Sequence, residues 1–275
     1  YSIGSTGTSY LVSQKAKKFI LKVQNNSKTS ENELSILNKL KKQPYLQQLH
    51  EFKRTPSHIF MIIDFAENGN LSDFKTQSSY LNTFDNIVIF FNYLFVAVDT
   101  LHKLGFVHAD LNTETILVDE NFMPVLSDFG LSVPINDFSP PRGSISYLAP
   151  EIFKSVILQS IVQFSASSDL YSLGVLFYEV VKKRKPIKIQ NLYFDVLVDS
   201  KIKFEKRDRL DFLEFVSSNV EPESKRIKYK DAENMLKKIS LNQTFQFLKE
   251  DKKYCLRELA TDEELKLDVN EISDF

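Results

Sequence analysis

Short apolar runs separated by polar turns fill the first 65 residues, a pattern that predicts β-strands. Apolar residues at 10–12 and 19–23 flank a basic loop, which predicts a hairpin. Residues 31–41 then place their large apolar side chains on one face at helical spacing: Leu34, Ile36, Leu37 and Leu40. The continuous apolar run at 59–63 is short enough for a buried strand. This part of the chain is therefore predicted to form a small sheet with one helix.

From residue 71 the apolar pattern changes to long helical segments. Residues 87–104 and 170–181 are the clearest of these, and two short strands are predicted between them, at 116–118 and 124–126. Strands followed by helices indicate the α+β class, here a small β-rich lobe joined to a larger helical lobe.

We place the two lobes at residues 1–65 and 66–243, followed by a C-terminal tail at 244–275. The last fifteen residues of this tail hold six acidic side chains against the single Lys266. The sequence begins with Tyr1 rather than Met, and no signal peptide is visible, so we expect the first lobe to be truncated at its start.

The charge balance narrows the function classes. The 275 residues carry a formal net charge of −1, which gives no general attraction to nucleic acid or to an anionic membrane. Residues 15–54 hold ten Lys or Arg against three Glu, which fits an ordinary solvated face or a patch for an acidic protein partner. No nucleic-acid partner is predicted.

Cysteine usage and hydropathy bear on the compartment. Cys255 is the only cysteine, so no disulfide can form within the chain and a reducing compartment is expected. The most apolar segment, 87–101, contains Asn92 and Asp99 and is shorter than the roughly 20 apolar residues of a membrane span. We expect a soluble cytoplasmic protein with no membrane span. A nuclear location stays open because residues 182–185 are basic, although their place after a predicted helix favours a helix cap.

Two carboxylates are the strongest candidates for chemistry. Asp110 lies in the segment His108-Ala109-Asp110-Leu111-Asn112, and Asp128 lies in Ser127-Asp128-Phe129-Gly130. Both fall on predicted loops beside short strands, where paired carboxylates suit acid–base catalysis or binding of a divalent metal. The alternative is that each aspartate only caps a turn.

The order and spacing of several motifs resemble the eukaryotic protein kinases over nearly the whole chain. Key residues fall on the elements predicted above: Lys22 on a strand, Glu33 on the helix and Asp169 at a helix start. The matching segments are Ser2–Gly7, Ile20–Lys22, Asn32–Leu34, Asp64–Leu71, His108–Thr115, Asp128–Gly130, Gly143–Glu151 and Ser168–Val175, with Arg226 as the expected partner of Glu151. The resemblance implies the bilobal protein kinase fold.

The same resemblance implies a site for ATP and Mg²⁺ between the lobes. Asp110 would be the catalytic residue that accepts or orients the proton of the substrate hydroxyl, and Asp128 and Thr115 would be the metal ligands. The nucleotide-binding residues would be Gly4 and Gly7 of the phosphate loop, Lys22 with its partner Glu33, and Asp64, Ala66 and Leu117. The partner would be a protein substrate or another protein.

The catalytic loop departs from the family pattern Asp-Leu-Lys-Pro-Glu-Asn, which reads here Asp110-Leu111-Asn112-Thr113-Glu114-Thr115. Asn112 replaces the lysine that steadies the γ-phosphate, and Thr115 replaces the asparagine that holds the second Mg²⁺, so one effective ion is expected. Each electrostatic contact of this kind commonly contributes about 2.7–4 kcal/mol to transition-state stabilisation. Ala109 replaces the arginine that binds phosphate on the activation segment, so that mode of switching is predicted to be absent.

The adenine pocket departs from the pattern as well. Ile20 replaces a small alanine above the adenine ring, and Ser9 replaces a valine. Added bulk in a packed slot typically costs ~1–3 kcal/mol, so Ile20 is expected to narrow or close the pocket. The ionisable groups retained around the cleft favour nucleotide binding instead, because such groups are costly to bury without a ligand.

Two functions stay open at this stage. One is a Ser/Thr-type protein kinase with an impaired catalytic loop, and the other is a pseudokinase that acts as a scaffold or allosteric binding module with optional nucleotide. Asn112 is typical of neither Ser/Thr nor Tyr kinases, so Tyr specificity also stays open. Ser139, which precedes Pro140 in a loop that we expect to be exposed, fits an ordinary turn serine or a phosphorylation site.

Overall fold

An antiparallel sheet of five strands forms the first part of the molecule. The computed structural model describes residues 2–4, 7–183, 245–250 and 253–258. The strands are β1 (Ser2–Gly4), β2 (Gly7–Gln14), β3 (Lys17–Asn25), β4 (Leu49–Arg54) and β5 (His58–Asp64). Their order in the sheet is β1-β2-β3-β5-β4. The predicted hairpin is confirmed as β2 and β3, which pair from Thr8 opposite Val23 to Gln14 opposite Lys17. Both strands extend into polar residues, because ladder hydrogen bonds use the backbone and not the side chain.

The strand β5 is buried on one face only. Ile59, Met61 and Ile63 are buried, whereas Phe60 and Ile62 between them are half-buried. The strand predicted at 59–63 is therefore confirmed, with one of its two faces in the core. Successive side chains of a strand point to opposite faces, and the outer face of this sheet is not covered by a second layer of the described residues.

One helix, α1 (Lys28–Lys39), packs against the inner face of the sheet. It begins three residues earlier than predicted, because Ser27 and Ser30 form a reciprocal cap. The Ser27 hydroxyl accepts from the Ser30 N–H at 3.2 Å, and the Ser27 N–H donates to the Ser30 hydroxyl at 2.9 Å. The buried face carries the predicted apolar residues and also Glu33, whose side chain is fully buried.

The following part of the chain is helical, as predicted. Up to residue 183, its α-helices are α2 (Leu71–Gln77), α3 (Phe84–Lys103), α4 (Pro150–Leu158) and α5 (Ala166–Lys182). The helices α3 and α5 form the centre of this part, where Phe91 meets Phe177 edge to face at 5.2 Å between ring centroids. No helix among the described residues has the length and apolarity to cross a membrane. The sheet with its helix, followed by a helical region, confirms the predicted α+β arrangement.

Short two-stranded pairs fix the loops between the helices. The predicted strands at 116–118 and 124–126 are confirmed as β7 (Ile116–Val118) and β8 (Pro124–Leu126). The other pairs are β6 (Phe106–Val107) with β9 (Val133–Pro134), and β10 (Phe138–Ser139) with β11 (Val162–Gln163).

The pairing of β10 with β11 buries Ser139 itself, although its neighbours Phe138 and Pro140 are exposed as expected for this segment. Ser139 is 8% exposed, and its hydroxyl has no hydrogen-bond partner among the described residues. The two strands are separated by about twenty residues in sequence. The turn residues around Pro140 therefore do not predict the pairing.

Part of the predicted organisation lies outside the described residues. Arg226 and most of the C-terminal tail are among these, and the tail contributes only the hairpin of β12 (Phe245–Glu250) and β13 (Lys253–Glu258). The lobe boundary at residues 65 and 66 stays a prediction.

Candidate active site

A cleft of about 740 Å³ lies between the sheet and the helical region. Eight of the ten residues predicted for the site line it: Gly7, Lys22, Asp64, Ala66, Asp110, Thr115, Leu117 and Asp128. Of the other two, Glu33 lies behind Lys22, and Gly4 pairs with Gly7 at the end of the β1–β2 ladder. Residues that are up to 121 positions apart in sequence therefore meet in one cavity, whose volume is within the usual range for small-molecule sites.

Lys22 connects the sheet to the helical region through two carboxylates. Its Nζ lies 2.7 Å from Glu33 Oε1 and 3.5 Å from Asp128 Oδ1. Burial by itself would lower the pKa of Lys22, but the two carboxylates outweigh it and hold the pKa above its usual value. The amine is therefore a fixed positive charge at the back of the cleft.

Asp128 presents its carboxylate to the cleft from a left-handed backbone conformation, with φ 61° and ψ 71°. Its side chain is 42% exposed, whereas the neighbouring Phe129 is fully buried against the edge of the His108 ring, 5.5 Å between centroids. The buried phenylalanine anchors the turn, so that the aspartate beside it is held towards Lys22.

A buried aspartate holds the backbone of the catalytic loop. Asp169, at the start of α5, accepts from the N–H of His108 at 2.7 Å and from the N–H of Ala109 at 3.0 Å. His102 Nε2 lies 2.8 Å from the same carboxylate. Ala109 has φ +65°, a conformation that costs an L-residue roughly 1–2 kcal/mol, and these hydrogen bonds compensate for it.

Asp110 is oriented by the segment that follows Gly143. The Ser144 N–H donates to Asp110 Oδ1 at 2.7 Å, and no described residue donates to Oδ2. One carboxylate oxygen is thus fixed, while the other faces the cleft without a protein donor.

Asn112 is directed into its own loop. Its Oδ1 accepts from the N–H of Glu114 at 2.8 Å and of Thr115 at 3.2 Å, while its Nδ2 lies 3.0 Å from the Asp110 carbonyl and 3.1 Å from the Ser144 hydroxyl. Both polar atoms of this side chain are therefore used to hold the loop and its neighbour Ser144.

Thr115 also takes part in the loop network. Its hydroxyl lies 3.0 Å from the Asp110 carbonyl oxygen and accepts from the Asn112 N–H at 3.1 Å. Among the described residues no cluster of three or more His, Cys, Asp or Glu side chains is arranged to hold a metal. Asp128 is a carboxylate in this cleft that could hold a cation, and the Thr115 hydroxyl is a further oxygen among the lining residues.

The apolar side chains of Ile20, Ile63 and Leu117 are among those that line the cleft. The narrowing or closure expected from Ile20 stays a prediction. The N–H of Ala66 is used by no hydrogen bond within the described part of the chain, although its carbonyl accepts from Gly69. An unpaired N–H in an apolar slot is a donor for a ligand ring nitrogen.

Several residues that support the site were not singled out from the sequence. Asn32 on α1 donates from Nδ2 to the carbonyls of Ser132 at 2.8 Å and Gly130 at 3.2 Å, which ties the helix to the segment after Asp128. Gln24 is buried and donates to Glu33 Oε2 at 2.9 Å. The only sequence signal for either is a polar residue at a position beside a motif.

A buried polar cluster lies below the catalytic loop. Glu179 on α5 is fully buried and bonds both the Lys75 amine and the Tyr147 hydroxyl. Burial and the hydrogen bond to Glu179 raise the pKa of Tyr147 above its usual value. Thr113 lies 3.4 Å from the same hydroxyl, so the cluster connects α2, α5 and the catalytic loop.

Comparison with known proteins gives a consistent result over most of the chain. Residues 3–245 match the family model described as protein kinase domain.

Individual relatives are more distant. SNF1-like protein kinase ssp2 of Schizosaccharomyces pombe is 32% identical over 197 residues, 68% of this chain and 33% of that protein. Serine/threonine-protein kinase unc-51 of Caenorhabditis elegans is 30% identical over 190 residues, 64% of this chain and 21% of that protein. Human ribosomal protein S6 kinase alpha-4 is 29% identical over 174 residues, which are 62% of this chain and 21% of that protein. The chain spans about a fifth to a third of the length of these relatives.

Proposed function

The chain belongs to the protein kinase domain family and is related to Ser/Thr kinases, and from this premise we propose that it transfers the γ-phosphoryl group of ATP to a Ser or Thr hydroxyl of a protein. The observation that carries the proposal is the meeting of Lys22, Asp110 and Asp128 in one open cleft. Phosphoryl transfer requires a cation for the phosphates, a carboxylate that can accept the hydroxyl proton and a carboxylate that binds the metal. Lys22, Asp110 and Asp128 would supply these in that order.

Each group has one role in this proposal. Lys22, held by Glu33 at 2.7 Å, places the phosphates, and Asp110 uses its free Oδ2 to accept or orient the substrate hydroxyl proton. Bound Mg²⁺ supplies positive charge that offsets the charge of the transferring group, and Asp128 with Thr115 would hold it. Because Thr115 is a weaker ligand than an amide, we propose one effective ion.

The second candidate function is a pseudokinase that serves as a scaffold or allosteric binding module with optional nucleotide. Asn112 favours it, because this side chain is bonded within its loop and provides no charge for the γ-phosphate. The two candidates differ in whether ATP bound in the cleft reacts, and only the kinase requires that ATP binds there.

Titration of the protein with ATP, with and without Mg²⁺, tests the proposal when it is paired with a phosphotransfer assay on Ser, Thr and Tyr peptides. ATP at 100 times its Kd is expected to stabilise the fold by about 2.7 kcal/mol, measured as a rise in Tm. Stabilisation with transfer to Ser or Thr supports the kinase, and stabilisation without transfer supports the pseudokinase. No stabilisation at millimolar ATP would contradict nucleotide binding in either form.

Restoring the family residues in the catalytic loop should separate the two candidates further. We expect Asn112→Lys with Thr115→Asn to raise phosphotransfer by at least about tenfold, because the lysine returns a charge to the γ-phosphate. Both variants lose the contacts of Asn112 with the N–H groups of residues 114 and 115. Asn112→Lys alone should gain less, since it leaves Thr115, the weaker metal ligand, unchanged. If the double variant binds ATP and shows no gain, the two loop residues are not what limits transfer.

A further inference from the structure

The connection between α4 and α5 forms a strand pair with the activation segment, the stretch from Asp128 to Glu151. Phe138 lies opposite Gln163 and Ser139 opposite Val162 in the β10–β11 ladder. The pair continues upstream, where the Asn136 N–H donates to the Phe164 carbonyl at 2.8 Å and the Phe164 N–H donates to the Asp137 carbonyl at 2.9 Å. We call residues 136–139 and 162–164 the strand clasp.

Phe164 anchors the strand clasp in the core. Its side chain is 1% exposed, although its neighbour Gln163 is exposed and Ile161 is 65% exposed. The Arg142 guanidinium lies 6.0 Å from the centre of the Phe164 ring. The Phe164 side chain therefore also contacts the part of the activation segment that follows β10. Val162 packs against the core as well.

The strand clasp lies close along the chain to Ser144, the residue that orients the Asp110 carboxylate. Residues 140–143 alone separate it from Ser144, whose N–H fixes Asp110 Oδ1 at 2.7 Å. Gly143, with φ +105°, lies so close to the catalytic loop that a Cβ would come within 2.3 Å of the Ala109 carbonyl oxygen. The backbone of the activation segment therefore packs directly against the loop that carries Asp110.

In the family, an arginine at position 109 binds a phosphate and thereby orders the activation segment. In this chain the residue is Ala109, which is 9% exposed and packs beside Gly143. Ser139 is itself buried in the strand clasp, with its hydroxyl out of reach of solvent. The segment is therefore ordered in this molecule by backbone pairing and a buried aromatic side chain.

We propose that Phe164 and β11 are positioning residues: they order the activation segment without phosphorylation and, through Ser144, hold Asp110 in place. The ordering of the segment is independent of the proposed function, and only its consequence for phosphotransfer rests on that function. Loss of Phe164 should open the strand clasp and leave the cleft end at Ala66 and Lys22 unchanged.

The test is trypsin cleavage of the Arg142–Gly143 bond in the full chain after phosphatase treatment, followed by mass spectrometry. Phe164→Ala is expected to raise the cleavage rate by at least about tenfold, because the strand clasp keeps the half-exposed Arg142–Gly143 bond from adopting the locally unfolded conformation that a protease cleaves. Ile161→Ala, an exposed position in the same connection, is the matched control and should change the rate by less than about twofold. Equal rates in the parent and Phe164→Ala would overturn the proposal.

A parent whose cleavage rate rises about tenfold on phosphatase treatment alone would also overturn it, since phosphate would then order the segment.

A cross-link keeps the test decisive if Phe164→Ala lowers the overall stability. Ser139 and Val162 are directly opposite, and such cross-strand pairs have Cα atoms about 4.5–5.5 Å apart, a distance that a disulfide can span. In a Cys255→Ser background, the oxidised pair Ser139→Cys with Val162→Cys should return the cleavage rate of Phe164→Ala to that of the parent. Failure of the oxidised protein to regain protection would show that the strand clasp does not order the segment.

Measuring kcat and the Kd for ATP distinguishes failure of this proposal from failure of the proposed function. Where the parent transfers phosphate, Phe164→Ala should lower kcat by at least about tenfold and leave the Kd for ATP within about twofold, because Asp110 loses its orientation and Lys22 does not. A parent that transfers no phosphate contradicts the kinase function alone, and the cleavage rates still decide the ordering of the segment.

Discussion

Replacing Asp128 by Asn is expected to abolish the Mg²⁺-dependent part of the stabilisation by ATP and to lower any phosphotransfer by at least about a hundredfold. The amide keeps the shape of the side chain and removes its charge, and Mg²⁺ prefers carboxylate oxygens. Asp128 is 42% exposed and its contact with Lys22 is long, 3.5 Å, so the fold itself should change little.

Asp73→Asn is the matched control for this experiment. Asp73 is an exposed aspartate on the rim of the same cleft, so the substitution changes the charge by the same amount away from Lys22. The control should keep the Mg²⁺-dependent rise in Tm. If Asp128→Asn keeps it too, the metal is held elsewhere and the assignment of Asp128 as its ligand is wrong.

Replacing Asp169 by Ala is expected to lower the free energy of unfolding by about 3–5 kcal/mol, measured by urea denaturation. The variant leaves two buried backbone N–H groups, those of His108 and Ala109, and the ring of His102 without the acceptor they share. Ala109 would also lose the contact that compensates for its positive φ.

Asp169→Asn provides the comparison, because its amide keeps one oxygen acceptor in the same volume. It should cost clearly less than the alanine variant, since at least one of the loop N–H groups keeps its partner. A loss below about 1 kcal/mol in Asp169→Ala would mean that the loop N–H groups find other acceptors, and that the backbone of the catalytic loop does not depend on α5.

Much of the fold could be predicted from the sequence alone. The pattern of apolar residues located the β2–β3 hairpin, the helices α1, α3 and α5, and the short strands at 116–118 and 124–126. These are regular elements whose side chains alternate between core and solvent with a fixed period, so the period is visible in the sequence. The boundaries shifted at Ser27 and Thr83, where a side-chain cap starts the helix earlier than the apolar pattern does.

The candidate site was located by ordered motifs, because in this fold Lys22, Asp110 and Asp128 stand on elements that surround one cleft. Their chemical roles stay predictions, as does the effect of the altered catalytic loop. The motif positions indicate which residues face the cleft, and they do not indicate what each substituted residue contacts.

Only the tertiary structure decided those contacts. Asn112 at a lysine position was expected to leave a charge missing from the cleft, and the structure shows in addition that its amide holds the loop and Ser144. Ser139, in a segment expected to be exposed, is itself buried by β11, whose partner strand is distant in sequence. The reason is physical: periodicity and capping are local properties that neighbouring residues specify, whereas pairing between distant backbone groups depends on where packing of the whole core places them.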